Sequence, residues 1–439
     1  MNRSARLAGQ LLLGILMQLF LLSWLSFSQT TTGSIIGAVR DSTGRVVSNV
    51  ALTVTNEKSG EAFSRSTDSQ GNYAFTTLIP GTYRLHSELA GFKQSDIRGI
   101  VLQVDQTARF DLTLQIGQVT ESITVTASAP VLSRDTSDIG QVIDEKQVVD
   151  LPLNGRNFLQ LASLTNGVHL QGNTESGGPQ FTSDGNRIQQ NSFLIDGVET
   201  RIQREGGYGV NLSIDAIQEF KILQNTFSAE YGRATAVVDV VVRAGTNSLH
   251  GTAFEFLRNN DFDARNAFDV TGTKPPLRQN QFGGSLGGPI LKDKLFYFLD
   301  YEGIRAGVGS TQFSLVPTPA VLSGNLSALK TAIDPSTGQP FPNNQIPGDR
   351  ISQFAKATAA YYPAPNNSNF ANLNYVAILT NGTTENQGTA RVDYLLSQKN
   401  RIDGHYTGFY YDTQKPAVMP FAGTSSYAHA RNLGMPGRS

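Results

Sequence analysis

The chain holds no cysteine among its 439 residues. That excludes thiol catalysis, disulfide bridges and any metal site built on thiolates. Neither sign of charge is in excess: 35 Lys and Arg stand against 36 Asp and Glu, a formal charge of -1. Phosphate-backbone binding needs a basic surplus, so no nucleic acid partner is expected. Beyond the N-terminal stretch, no segment reaches the ~20 apolar residues that a membrane-crossing helix requires. Runs of Glu, Lys, Leu and Ala are scarce, whereas glycine is plentiful at 43 residues. This balance favours β-structure joined by polar loops.

Two further absences bear on chemistry. The five histidines, His86, His169, His250, His405 and His429, show no metal-ligand spacing, and no phosphate-cradling glycine loop is present, so neither a metal nor a cofactor is expected. Gly283-Gly284-Ser285-Leu286-Gly287 fits the pattern G-x-S-x-G. A nucleophile elbow needs a strand-to-helix turn, and these residues read as part of a β-hairpin. No catalytic residue is assigned, and the protein is not expected to be an enzyme.

What is present begins with Arg3 and Arg6, an apolar run from Leu11 to Leu25, and the small-x-small site Ser26-Phe27-Ser28 ahead of Gln29. That is the pattern of a signal peptide over residues 1-28, followed by export. An uncleaved N-terminal membrane anchor is the alternative.

Residues 33-116 alternate with period two. Val50, Leu52 and Val54 share one face; so do Tyr83, Leu85 and Leu89, and Phe110, Leu112, Leu114 and Ile116. Turn signals separate these runs at Asp41-Ser42-Thr43-Gly44, at Asp68-Ser69-Gln70-Gly71-Asn72 and at Pro80-Gly81. Six or seven short strands in roughly 85 residues predict a small antiparallel sandwich. Thr67-Asp68-Ser69-Gln70-Gly71-Asn72-Tyr73-Ala74-Phe75 and Leu78-Ile79-Pro80-Gly81-Thr82-Tyr83 resemble the carboxypeptidase regulatory-like domain. The resemblance implies a transthyretin-like sandwich, a fold sometimes classed with carbohydrate-binding ones, and no peptidase activity. His86 falls on the polar face of its strand.

Residues 131-247 mix short elements. Gly140-Gln141-Val142-Ile143 reads as a strand, Asp144 to Asp150 as a helix capped by Asp144, and Ile214 to Phe220 as a short amphipathic helix. Phe193-Leu194-Ile195-Asp196-Gly197-Val198 reads as strand then turn, and Ala234 to Arg243 as an apolar strand. The ordered set Leu153-Asn154-Gly155-Arg156-Asn157, Phe193 to Val198, Ile214 to Leu223, Phe227 to Gly232 and Val240 to Asn247 resembles the plug of TonB-dependent outer-membrane receptors.

In that family the position just ahead of the plug holds the TonB box. Here the linker 117-130 carries Ile123, Thr124, Val125, Thr126 and Ala127. A free strand can add to the sheet edge of a partner through main-chain hydrogen bonds, needing only β-propensity and freedom from competing pairs. The other reading of Ile123 to Thr126 is the last strand of the sandwich. Arg156, Arg187 and Asp196 are the candidate polar contacts of the plug.

In residues 248-439, Ala390, Val392 and Tyr394 alternate with Arg391 and Asp393. Ile402, Tyr406 and Tyr410 alternate with Arg401, Asp403, His405 and Thr407. Aromatics outward and charges inward form the pattern of a membrane β-barrel. The polar stretch Val316 to Gly382 suits an extracellular loop. Asn280-Gln281-Phe282-Gly283-Gly284-Ser285-Leu286-Gly287-Gly288-Pro289 with Lys292-Asp293-Lys294-Leu295-Phe296-Tyr297-Phe298 resembles the Oar-like subgroup of TonB-dependent receptors.

The fold class expected is therefore mainly β: an N-terminal sandwich, a small α+β plug, then the first strands of a transmembrane barrel. A barrel that houses a plug has about 22 strands of about 10 residues each, and only roughly 190 residues follow His250. The chain reads as an incomplete receptor. The resemblance implies an outer-membrane location with the N-terminal domain in the periplasm, contact with outer-membrane lipid and a TonB-type periplasmic partner. It also implies an imported substrate, whether siderophore, glycan or peptide. A secreted carbohydrate-binding or adhesion protein without transport is the alternative.

Overall fold

The computed structural model describes residues 31–117, 122–126, 139–173, 179–202, 206–225, 227, 229–268, 272–368, 372–397, 400–418 and 424–438. The signal-peptide expectation, residues 1-28, lies outside them, as does Ala127.

The alternating segments near the N-terminus form two facing sheets. One takes β1 (Gly33–Asp41), β4 (Asn72–Leu78), β7 (Thr107–Arg109) and β8 (Leu112–Leu114), with β1 central. The other has the order β3-β2-β5-β6-β9, from β2 (Ala51–Asn56), β3 (Ala62–Ser66), β5 (Gly81–Glu88), β6 (Gln94–Leu102) and β9 (Ser122–Thr126). Leu52, Val54, Tyr83 and Leu85 meet Ile35, Phe75 and Leu112 in one apolar core. The run Phe110 to Ile116 does not stay one strand. It breaks between β7 and β8, where Phe110 turns its carbonyl to accept from the Tyr73 hydroxyl at 2.5 Å. Ile116, past the break, is exposed.

The middle unit is built on a five-stranded sheet of order β10-β17-β18-β13-β14. Its strands are β10 (Gly140–Ile143), β13 (Asn191–Ile195), β14 (Val198–Glu199), β17 (Ile217–Gln224) and β18 (Ala236–Val242). Two small hairpins accompany it, β11 (Val168–Asn173) with β12 (Pro179–Ser183), and β15 (Arg201–Ile202) with β16 (Gly207–Tyr208). Helix α1 (Glu145–Asp150) starts at a capping box: Asp144 accepts from the Gln147 N–H, and the Gln147 side chain accepts from the Asp144 N–H. Each bond satisfies a donor that the helix itself leaves free.

The helix expected over Ile214 to Phe220 does not form. Only Ile214–Ala216 makes a 3-10 turn, and Ile217 onward is strand β17. The reason is burial on both sides: Ile217, Glu219, Phe220, Lys221, Ile222 and Leu223 are all buried. A register shift between Ile217 and Glu219 in the pairing with β18 also brings Ile217 and Phe220, three apart, into the same core as Ile214, and that spacing imitates one face of a helix. Phe158, Phe181, Phe193, Tyr208 and Phe220 fill the core, several ring pairs meeting edge to face at 5.3–5.6 Å.

The last segment is one six-stranded antiparallel sheet, β19 (His250–Asn259), β20 (Leu277–Leu291), β21 (Leu295–Ser314), β22 (Tyr375–Ser397), β23 (Asn400–Pro416) and β24 (Thr424–Arg438), in sequential order. Its two outer strands do not pair with each other, so the sheet is open. The Lys292–Lys294 turn closes the β20–β21 hairpin at one end. At the other end, β21 and β22 are joined by residues 315–374, which carry two short helices, Pro319–Leu322 and Gln353–Ala359. The loop expected over Val316 to Gly382 thus yields its last residues, from Tyr375, to a strand. Parity along the strands is as expected: Arg391, Asp393, His405 and Thr407 are buried, whereas Val392, Ile402, Tyr406 and Tyr410 are exposed on the opposite face.

Candidate functional site

The middle unit lies against the charged face of the open sheet, held there by two clusters of polar contacts, and a third cluster ties it to the sandwich. The first centres on Asp196. Strand β13 ends in a turn where Asp196 has φ 45° and Gly197 φ 78°, a left-handed pair that points the carboxylate back along the sheet. One oxygen accepts from the Val242 N–H at 2.9 Å. The other faces Arg391 Nη1 at 3.0 Å and His405 Nδ1 at 3.2 Å. Burial alone would raise the pKa of this carboxyl, but Arg391 first, then His405 and the Val242 N–H, hold it below the usual carboxylate range.

Arg391 extends the cluster. Its Nη1 donates to the Val242 carbonyl at 2.9 Å, and its Nε to Asp393 at 3.1 Å. Asp393 also pairs with Arg401, which lies 3.5 Å from Glu61 of the sandwich. A single line of alternating charge therefore joins all three units, from Asp196 through the sheet to Glu61.

The second cluster centres on Arg156. It pairs with Asp215, lies 3.4 Å from Glu302 on β21, and places its guanidinium 3.9 Å from the Phe254 ring centroid. Thr252 donates to Asp215 at 2.8 Å, and Gln281 to Glu302 at 2.5 Å. Flat, delocalised Arg suits this combination of carboxylates and aromatic face better than Lys would.

The third cluster joins sandwich to plug. Lys221 Nζ reaches Asp105 at 2.8 Å, Gln218 donates to the Pro80 carbonyl at 2.8 Å, and Glu219 accepts from the Val104 N–H. Burial raises Glu219 to about 7. Asp239, opposite Lys221 in the β17–β18 register, is raised to about 8 by burial and by its acidic neighbours Asp196 and Asp105. Among the described residues its Oδ1 has no hydrogen-bond partner. An acid this far from water favours its neutral form.

Of the three residues expected to make polar contacts, Arg156 and Asp196 do so. Arg187 does not join them: it is exposed, sits before β13 at the end of the sheet opposite Asp196, and among the described residues its side chain has no ion pair. A lone basic residue in a polar loop carries no periodic signal that would separate it from a solvated one. Sequence reasoning did not single out Arg391, His405, Asp215 or Glu302 as contacts. The inward parity of Arg391 and His405 was the available signal; it gives the face, not the partner.

The stretch Ser122–Thr126 is a strand, but a paired one. β9 runs parallel to β6 at the edge of the sandwich, with Ser122 opposite Gln94, Val125 opposite Ile97 and Thr126 opposite Arg98. Among the described residues its other edge has no partner strand.

A sheet of long strands with apolar residues outside and ionic residues inside, clasping a small α+β unit, defines a plugged outer-membrane barrel receptor. Family models agree along the chain: a carboxypeptidase regulatory-like domain over residues 34–115, a TonB-dependent receptor plug domain over 133–238, and an outer membrane beta barrel domain over 241–435. The chain carries, in the order found in TonB-dependent receptors, a regulatory-like domain, a plug and outer-membrane barrel sequence, and is an outer-membrane protein with its N-terminal domain in the periplasm. It is similar to the TonB-dependent transporter Oar of Myxococcus xanthus, 29% identical over 295 residues, which cover 63% of this chain and 27% of that protein. The chain thus spans about a quarter of that relative's length. Among solved structures, the outer membrane transporter YddB from Escherichia coli aligns at TM-score 0.40 with 11% identity, over 64% of this chain and 34% of that one. The siderophore receptor PirA from Acinetobacter baumannii aligns at 0.32 with 14% identity, over 67% and 43%. Scores this low add no weight to the family models.

Proposed function

We propose that this chain serves an energy-coupled importer: an extracellular substrate binds between barrel loops and plug, and a TonB-type periplasmic protein pulls on Ile123, Thr124, Val125, Thr126 and Ala127 to rearrange the plug. The observation that carries this reading is the attachment of the plug. It is held to the sheet by a few ionic clusters on the inward face, which a directed pull can break one after another, while the sheet itself remains hydrogen-bonded. The substrate is a siderophore, a glycan or a peptide; the sandwich, whose fold is sometimes classed with carbohydrate-binding ones, favours a glycan. We read the protein as a receptor and assign it no catalytic residue; residues 1-28 would direct its export.

The edge position of β9 bears on how the partner engages. A partner strand can add to the open side of β9, or it can replace β6. Prolines at both Val125 and Thr126 remove main-chain donors from the two opposite edges of β9 and so block either pairing. The expected result for Val125→Pro with Thr126→Pro is normal surface level and normal substrate binding with uptake lost. Because the chain has no cysteine, a single cysteine at Thr124 gives a clean cross-link to the partner protein, and the double proline variant should abolish it. Uptake that survives the prolines would end this assignment and favour the secreted, carbohydrate-binding alternative if the protein also stays soluble without detergent. A second cysteine pair, Ile97→Cys with Val125→Cys, ties β9 to β6. Uptake under oxidation then means that the partner adds to the open edge, and oxidised arrest means that β9 must leave.

A further inference from the structure

Between the Arg156 and Arg391 clusters, the inward face of the sheet carries a row of oxygens. Thr252, Ser285, Asp300, Thr389 and Thr407 stand opposite one another in register on the successive strands β19 to β23. Ser285, Asp300, Thr389 and Thr407 are buried. The hydroxyls pair off at both flanks: Thr252 meets Ser285 at 2.9 Å, and Thr389 meets Thr407 at 3.3 Å. Asp300 is left in the middle. Neither of its oxygens has a hydrogen-bond partner among the described residues, and the Ser213 hydroxyl of the plug faces it without reaching hydrogen-bond geometry. One row away, Gln387 stands opposite Glu302. It is 6% exposed, and its Oε1 is likewise without a partner among the described residues. Asp300 and Gln387 are thus diagonal neighbours on one face. Such positions lie about 7–8 Å apart, a distance that an Asp and a Gln side chain span with one small ion between them.

The charge around Asp300 does not balance. Asp215, Asp300 and Glu302 are three buried carboxylates, and among the described residues Arg156 is the guanidinium that faces them. Arg156 is already divided between Asp215 and Glu302. Arg391, the next cation along the wall, is committed to Asp196, Asp393 and the Val242 carbonyl. No basic side chain among the described residues is left for Asp300. Holding a carboxylate out of water without a counter-charge is costly enough that a cation or a proton must accompany it.

We propose that Asp300 and Gln387, with Ser213 of the plug, hold one monovalent metal cation, sodium or potassium, between plug and barrel wall. Carboxylate, amide carbonyl and hydroxyl oxygens are the ligands that hard cations take. A divalent ion collects several carboxylates, whereas among the described residues no three Asp, Glu or His side chains converge as a metal site. One free carboxylate among neutral oxygens matches a single positive charge. The ion also has a way in. Thr252 and Ser285, which begin the row, line a cavity of about 570 Å³ where sandwich, plug and sheet meet. Ser285 is the direct neighbour of Asp300 across β20 and β21. Bound there, the ion ties plug to wall at a point that no side-chain ion pair serves. The inference rests on the plug lying against the sheet and not on transport, so loss or survival of uptake in the proline variant leaves it standing.

The test uses the receptor extracted intact from its membrane in mild detergent. Urea midpoints for plug release are measured as choline chloride is replaced by sodium or potassium chloride at one ionic strength. Choline is too large for the site. A ligand that binds only the seated plug stabilises it with the logarithm of its concentration. The midpoint should therefore climb with one or both alkali cations. Asp300→Asn keeps the size of the side chain and can donate to Gln387 as a protonated acid would. It should weaken the apparent cation affinity at least about tenfold. Gln387→Leu keeps the charge, removes one oxygen and should weaken the affinity about fivefold; it carries the same test if the first variant fails to assemble. Midpoints in the parent that do not differ among the three salts would overturn the proposal and assign a proton to Asp300. A cation dependence that both variants retain unchanged would overturn it as well.

Discussion

Replacing Arg391 with alanine should loosen the plug by about 3–5 kcal/mol, the cost of removing one partner from a buried ionic cluster. Arg391 is 7% exposed and Asp393 2%, so neither carboxylate beside it can recover full hydration. Asp196 would keep His405 and the Val242 N–H, and Asp393 would keep Arg401. The Val242 carbonyl would lose the 2.9 Å guanidinium contact. Arg391→Lys should restore part of the loss, because the charge returns while the fork that serves Asp196, Val242 and Asp393 together does not. The readouts are protease sensitivity of residues 131–247 in membranes and permeation of solutes too large for the plugged barrel. A double-mutant cycle with Asp196→Asn should give a coupling above ~1 kcal/mol. Additive effects and an unchanged barrier would mean that the contact does not hold the plug.

Asp239→Asn should stabilise the plug, by more as the pH rises. In the folded plug this carboxyl titrates near 8 against an ordinary 3.8, so the native state keeps a proton that the unfolded chain has already released. Stability is then greatest at low pH and declines as pH climbs from about 4 through about 8, by up to ~1.4 kcal/mol per unit for one proton. Between pH 5.5 and 8 the expected gain of the variant over the parent grows by about 2–3 kcal/mol after allowance for relaxation around the buried group. Glu219, raised to about 7 from 4.5, has the same sign over a narrower window and keeps a residual slope in the variant. Urea midpoints for plug release at the two pH values provide the check. Parallel profiles for parent and variant would show that Asp239 does not titrate in the folded plug.

Arg391 and Asp239 act on the plug in opposite directions, from two different sheets. Arg391 restrains the plug from the barrel side. Asp239 sits within it as an acid with an unpaired oxygen, 3% exposed, beside Asp196. A plug that must move is served by strong contacts at few points and a core short of its greatest stability. Lys221 belongs to the same arrangement, because its ammonium offsets Asp239 within the plug while it bonds Asp105 of the sandwich.

Local pattern alone determined much about this chain. Alternation fixed the faces of β2, β5, β22 and β23, because a strand's side chains leave it with period two wherever one face is buried. Asp144 announced the start of α1, because a cap is a contact between residues three apart. The inward charges of the last segment were legible for the same reason as its outward tyrosines. Three matters were decided only by the tertiary structure. Ile217 to Leu223 became a strand because β10 and β18 pair with both of its edges, and a register shift after Ile217 left a three-residue spacing that imitates a helix. Ile123 to Thr126 lies beside β6, because a sheet edge offers main-chain hydrogen bonds to any strand within reach, and reach is a property of the folded chain. Asp196 found Arg391 and His405 across some two hundred residues of sequence. Sequence can say that a charge faces inward; which charge waits on the other side is fixed when two separately folded surfaces meet.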